Sequence, residues 1–164
     1  HGVLLAGGVL PEGGCPVVIS EGRHGANDKR LVQSVLDALD DYDLLIGFNS
    51  LNFDLRFINS RALHHGLKPL MGKFHIDLYR VAKQVFKTTM YTSCSLKTIT
   101  ELLHIEGPEG GTKGRVEPEL WMKAALSGDK YALTKIVRPC REDIAILPPL
   151  FRRLRYAIRR VSTA

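Results

Sequence analysis

Ile46-Gly47-Phe48-Asn49-Ser50-Leu51-Asn52-Phe53-Asp54 is the stretch that decides how this chain folds. Leu44, Leu45, Ile46 and Phe48 form a short apolar run of the kind that fills a buried strand, and Asn49 and Ser50 interrupt it. From Asp54 onward the apolar residues Phe57, Ile58 and Ala62 recur at helical spacing. The stretch therefore reads as a strand that stops abruptly and hands one carboxylate to the first turn of a helix. Alone, an aspartate there gains about 0.3–1 kcal/mol from the helix macrodipole, which requires no function.

Outward from this junction the periods alternate. Residues 3–10 and 16–20 are apolar or β-branched runs joined by Pro11-Glu12-Gly13-Gly14, the pattern of a hairpin. Leu31, Val32, Val35, Leu36 and Leu39 predict a helix over residues 27–39 with Asn27 as its N-cap. After the central strand (43–48) and its helix (53–65), residues 74–76 predict a short strand and 78–86 a helix. Residues 95–103 predict another helix, with Cys94 or Ser95 near its cap, and Pro118-Glu119-Leu120-Trp121 opens a further one. The glycine-rich segment 107–114 lacks the Gly-Lys-Ser/Thr ending of a phosphate-cradling loop and reads as a connector. Strands first, then strands alternating with helices, predict an α/β domain with a mixed sheet flanked by helices.

The Gly47-Phe48-Asn49-x-x-Asn52-Phe53-Asp54 pattern resembles the second motif of the 3'-5' exonucleases with four acidic residues, the DEDD group. It is closest to the form in B-family DNA polymerases and related bacterial ribonuclease H-like domains. Cys140-Arg141-Glu142-Asp143-Ile144-Ala145-Ile146-Leu147 resembles the third motif, a helix carrying the last metal-binding aspartate. His75-Ile76-Asp77-Leu78 and Ser95-Leu96-Lys97-Thr98-Ile99 resemble the steps between the two motifs. The resemblance spans residues 3–155 and implies a ribonuclease H-like fold. It also implies that Asp54 and Asp143 are catalytic metal ligands for two Mg²⁺ or Mn²⁺ ions, and that Asn49, Asn52 and Phe53 lie against nucleic acid. Asp77 reads as the cap of the helix at Leu78 rather than a ligand, Glu142 as solvent-facing, and His64-His65 as a helix end.

Two departures from the family pattern stand out. The first motif, Asp-x-Glu on the first strand, does not occur in this sequence, and residues 4–10 align with the second strand. The resemblance thus implies a single ribonuclease H-like domain over residues 1–164 that is incomplete at its N-terminus, and His1 in place of Met agrees with sequence missing upstream. Family members also place a Tyr four residues, or a His five residues, before the last Asp to position the attacking water. Pro139 and Arg138 occupy those positions. Proline fits most comfortably as the first residue of a new helix, so Pro139 is expected to open the helix that carries Asp143, with Tyr131 or Cys140 as possible substitutes for the missing group.

The net charge of +6 agrees with a polyanionic partner. Its distribution says more: residues 144–164 hold five arginines and no acid, and Leu150, Phe151, Leu154, Ala157, Ile158 and Val161 predict an apolar stripe along one helix. Arg152, Arg153 and Arg159 on its other faces are candidate phosphate contacts. Three cysteines without a CxxC pair give no disulfide framework, which favours a cytoplasmic setting and argues against zinc. No apolar run approaches the ~20 residues that span a bilayer, so no membrane association is expected. Two readings follow. One is a metal-dependent 3'-5' exonuclease domain cutting single-stranded or 3'-ended DNA or RNA, fused to or associated with a replication or repair module. The other is a degenerate ribonuclease H-like module that binds without cutting. A small-molecule enzyme is disfavoured by the lack of a dinucleotide fingerprint or nucleophile elbow.

Overall fold

The computed structural model describes residues 2–22, 27–86, 94–106 and 117–158, together with the backbone of 162–163. The chain opens with an antiparallel hairpin of β1 (Ala6–Val9) and β2 (Val17–Ser20), with Gly7 opposite Ile19. Helix α1 (Lys29–Asp40) leads into β3 (Leu44–Gly47), and α2 (Asp54–His64) crosses over to β4 (Phe74–Asp77), which pairs parallel to β3 with Ile46 opposite Ile76. Then follow α3 (Leu78–Phe86), α4 (Leu96–Leu102), α5 (Pro118–Met122) with a π-helical turn (Lys123–Ser127), α6 (Lys130–Ala145) and α7 (Leu147–Leu154). A 3₁₀ turn (Arg155–Ala157) precedes β5 (Ser162–Thr163), which pairs antiparallel to β4. The expected α/β fold is present, its strands divided between the β1–β2 hairpin and the mixed sheet β3-β4-β5.

Alternation along β3 covers that sheet on both faces. Leu45 joins Leu31, Val32, Leu36, Leu55, Ile58 and Ala62 in a core between α1 and α2. Ile46 and Phe48, on the opposite parity, pack with Ile76, Leu78, Val81, Ile99, Leu150 and Leu154 beneath α3, α4 and α7. A third cluster seats α6 and the π-helical turn on β1 through Leu5, Ala124, Ala132 and Ile136. The approach of α6 to β1 is close: a side chain at Gly8 would overlap Ile144 and crowd the Cys140 sulfur.

The helix starts show how local chemistry was used. Ser95 accepts the Thr98 N–H at 3.1 Å, and Asp129 accepts the Ala132 N–H at 3.0 Å, as capping residues do. At α1 the expected cap differs, because Asp28 rather than Asn27 occupies the position before the helix, and Asn27 only accepts the Lys29 N–H at 3.3 Å. Nor does Asp28 cap; its fully buried carboxylate accepts the Leu4 N–H at 2.6 Å and pairs with Arg61 and with His65, the latter at 2.6 Å. Burial raises the Asp28 pKa, but hydrogen bonds from Arg61, Leu4 and His65 and the Arg61 charge override it and hold it at about 2. His65 therefore belongs to an ion network that ties the approach to β1, the start of α1 and the end of α2, while ending its helix as expected.

Two further expectations are corrected. Pro139 does not open a helix; it lies inside α6, which runs unbroken through Asp143. Without an N–H it leaves the Lys135 carbonyl without its usual partner, at a cost of about 3 kcal/mol for an interior proline. The stop comes after Ala145, where Pro148 and Pro149 stand in the first turn of α7, a place that tolerates a missing N–H. The arginine-rich end is also not one helix through Val161: α7 ends at Leu154 and Ile158 is already extended. Ala157 and Ile158 still pack on the core, and the chain then pairs with the outer side of β4, satisfying backbone groups that a bare edge would leave open. Periodicity over two turns cannot distinguish these arrangements. The glycine-rich segment 107–114, Arg159 and Val161 lie outside the described residues. Among the described residues, no helix is long and apolar enough to cross a membrane.

Candidate active site

The loop that follows β3 is built around one buried carboxylate. Asp77, at the end of β4 and 4% exposed, accepts the Asn49 N–H at 2.7 Å and the Leu51 N–H at 3.2 Å, and also the Tyr79 N–H at 3.0 Å. The expected cap of α3 is therefore at the same time a clasp that holds the loop delivering Asp54. Asn49 adopts φ 58°, a left-handed conformation that asparagine tolerates better than most residues. The backbone turns back there, and the N–H groups of Asn52 and Phe53 both reach the Asn49 carbonyl. Beneath the loop Ser50 and the buried His75 share a 2.9 Å hydrogen bond. Burial lowers the His75 pKa, Asp77 partly offsets this, and Arg80 lowers it further.

Gly47 is required by this packing, since a Cβ would overlap the Ser50 hydroxyl. Gly47→Ala is expected to cost about 1–3 kcal/mol, the range for overpacking a tight site. The check is the urea midpoint of the variant against wild type; an unchanged midpoint would show that Ser50 can swing away from His75 freely.

Asp54 opens α2 with its surface accessible, yet the surrounding protein displaces enough water to raise its pKa; its own N–H opposes this and the Asp77 charge adds to it. Asp143, on α6, has its Oδ1 buried with no hydrogen-bond partner among the described residues. Its pKa is raised to about 6 by burial, then by the charges of Glu142 and of Asp54. The Asp54 charge thus acts on Asp143 although the two lie far apart in sequence. The Cys140 thiol is pushed up to about 11 by burial and by both of these carboxylates, so it stays neutral near pH 7. Among the described residues no three His, Cys, Asp or Glu side chains form a ready metal cage.

The remaining sequence candidates fall into two groups. Asn52, Asn49 and Phe53 stand at the rim around Asp54: the Asn52 amide donates to Asn49 Oδ1 at 2.9 Å, and Phe53, 66% exposed, stacks on Phe57 with centroids 6.3 Å apart. Arg152 and Arg153 are exposed on α7 and line an open groove with His104, Ile105, Glu106 and Pro149. Glu142 is not simply solvent-facing, since its carboxylate is largely covered and receives the Arg138 Nε–H at 2.8 Å. Tyr131 is the second residue of α6, about 18 Å along the helix from Asp143 at 1.5 Å per residue, too far to serve it. Sequence reading missed the Asp77 clasp and the Ser50–His75 bond, and it passed over Arg80, whose guanidinium reaches Asn52 Oδ1 at 3.4 Å.

The described structure is an α/β domain whose parallel strands β3 and β4 carry helices on both faces, with Asp54 at the step from β3 to α2. Residues 4–155 match the RNase_H superfamily, and the chain belongs to that family. It is also similar to a DNA polymerase of Methanocaldococcus jannaschii, 28% identical over 87 residues, which are 40% of this chain and 5% of the polymerase. An uncharacterized protein of the same organism is 32% identical over 109 residues, covering 61% of this chain and 57% of that protein. The chain thus spans less than two thirds of each of these relatives.

Proposed function

We propose that this chain is a metal-dependent 3'-5' exonuclease domain of the four-carboxylate class, acting on DNA or RNA with a free 3' end, with Asp54 and Asp143 as its metal ligands. The observation that carries the reading is Asp143. A buried carboxylate oxygen with no partner among the described residues, on a group raised in pKa by burial and by the charges of Glu142 and Asp54, is an arrangement that a bound cation relieves. The donors are hard carboxylate oxygens, which suit Mg²⁺ or Mn²⁺, ions that complete their shell with water. When bound, such a pair of ions stabilises negative charge on the attacking and leaving oxygens of a phosphodiester. The chain's own residues do the rest. Asp77 holds the loop so that Asp54 is presented at one place, and the Asn49 and Asn52 amides offer donors and acceptors at the rim. Phe53 offers an exposed ring for a base to stack on, a contact worth about 1–3 kcal/mol per base.

A second reading, a binding module that no longer cuts, is favoured by one place in α6. Pro139 cannot orient a water, Arg138 is engaged with Glu142, and the neutral Cys140 thiol is no base near pH 7. The sequence also contains no Asp-x-Glu pair. Digestion of 3'-labelled single-stranded DNA and RNA with Mg²⁺ or Mn²⁺ is therefore expected to release little or nothing from this chain alone, since half a carboxylate set binds metal poorly. Robust release that Asp54→Ala abolishes would show that Asp54 and Asp143 suffice, against that expectation. Mn²⁺ titration followed by electron paramagnetic resonance separates the two readings. The exonuclease reading expects weak binding lost in both Asp54→Asn and Asp143→Asn; a wild-type chain that binds no Mn²⁺ leaves only the binding module.

A further inference from the structure

Arg80 is the third residue of α3, exposed beside the loop that carries Asp54. A continuous run of hydrogen bonds holds it there: Arg80 donates to Asn52 Oδ1 at 3.4 Å, Asn52 donates to Asn49 Oδ1 at 2.9 Å, and the Asn49 N–H donates to Asp77 at 2.7 Å. Structural demand does not explain the cation. A positive charge in the first turn of a helix is disfavoured by the macrodipole. Among the described residues Arg80 has no acidic partner within ion-pair distance, whereas Arg61 pairs with Asp28 and Arg138 with Glu142. The nearest carboxylate at that helix start, Asp77, is committed to three backbone N–H groups. One turn further along, the exposed Lys83, with its Nζ 5.8 Å from the Tyr79 ring centroid, adds a second cation on the same side. A guanidinium has five N–H donors in a planar fork that matches phosphate oxygens, and one of them is used here.

We infer that Arg80 contacts the substrate strand, gripping a backbone phosphate next to the one presented to Asp54 and Asp143, so that the site takes a polynucleotide rather than a single nucleotide. This rests on the nucleic-acid reading of the site. The carboxylates repel a phosphate until cations offset them, and the Arg80 guanidinium at the rim supplies one such charge for a neighbouring phosphate. A mononucleotide has no phosphate to place there, so it gains nothing from Arg80.

The test is binding, which does not depend on cleavage. Fluorescence anisotropy of a labelled oligothymidylate of about ten nucleotides, with Ca²⁺ in place of Mg²⁺, is followed over a salt series for wild type, Arg80→Ala and Arg80→Lys. Binding of thymidine 5'-monophosphate is measured alongside by calorimetry. Arg80→Ala is expected to weaken oligonucleotide binding about 10-fold, in line with loss of one charge-assisted hydrogen bond. It should also flatten the slope of log affinity on log salt by about 0.7, the value for one phosphate contact on a single strand. Arg80→Lys should keep the slope while recovering part of the affinity, and the monophosphate should bind all three proteins alike. If wild type binds the oligonucleotide and Arg80→Ala matches it in affinity and slope, the inference is overturned and the site reading stands. An equal loss for oligonucleotide and monophosphate overturns it too, because the contact would then be to the reacting phosphate. A wild-type chain that binds no oligonucleotide removes the nucleic-acid reading and this inference with it.

Discussion

Asp28→Ala is expected to destabilise the chain by about 3–5 kcal/mol, the range for breaking a buried ion pair by removing one partner. Asp28 is fully buried and Arg61 is 7% exposed, so the substitution takes from the buried guanidinium its carboxylate and removes the acceptor for the Leu4 N–H and for His65. The pH dependence gives a separate check. The folded pKa of about 2 lies below the ordinary 3.8, so the folded state favours the ionised form. The associated stability, roughly 2 kcal/mol at about 1.4 kcal/mol per pKa unit, is fully present above about pH 4 and is lost as pH falls toward about 2. Urea midpoints of wild type and Asp28→Asn should therefore converge on acidification from pH 7 toward pH 2. A constant gap across that range would show that the carboxylate's charge is not what holds β1, α1 and α2 together.

Asp143→Asn is expected to act in the opposite direction on stability. The folded pKa of about 6 lies above 3.8, so the ionised carboxylate is less favourable in the folded chain than in the unfolded one. The cost is fully present above about pH 6 and disappears as pH falls toward about 4, where both states hold the proton. Allowing for partial access of water, the metal-free variant should be more stable than wild type by about 1–2 kcal/mol at pH 7. It should also lose any rise in thermal midpoint that Mn²⁺ gives to wild type, since an amide is a poor ligand for a hard cation. A strained group whose removal stabilises the fold is the mark of a site kept for binding. Destabilisation by Asp143→Asn, with the Mn²⁺ response intact, would make Asp143 a structural residue and sink the proposed ligand pair.

Much of the architecture was legible because it is local. The alternation of Leu45 against Ile46 and Phe48 and the spacing of Leu31, Val32, Val35 and Leu36 act within a turn or a strand pair and stand where their pattern placed them, and of the two cap candidates Cys94 and Ser95 it is Ser95 that caps. Pro139 was misread because the rule used was also local: an interior proline is costly, yet the packing of Ala132, Ile136 and Ile144 keeps α6 continuous through it. The arginine-rich end was misread for the complementary reason, since helical spacing over two turns is indistinguishable from one short helix, a tight turn and an edge strand until β4 offers its backbone.

The sequence by itself determined the order of elements, the faces they bury and the strand-to-helix step that presents Asp54, because side-chain period and turn chemistry depend on near neighbours. Only the tertiary structure decided which charges meet. Asp28 and Arg61 lie 33 positions apart and form an ion pair, and Asp77 lies 28 positions from Asn49 and clasps its loop. No periodicity encodes such pairings: a carboxylate looks the same in sequence whether it will cap a helix, neutralise a buried arginine or stay unpaired, and packing at a distance selects among these by removing water and supplying, or withholding, a partner.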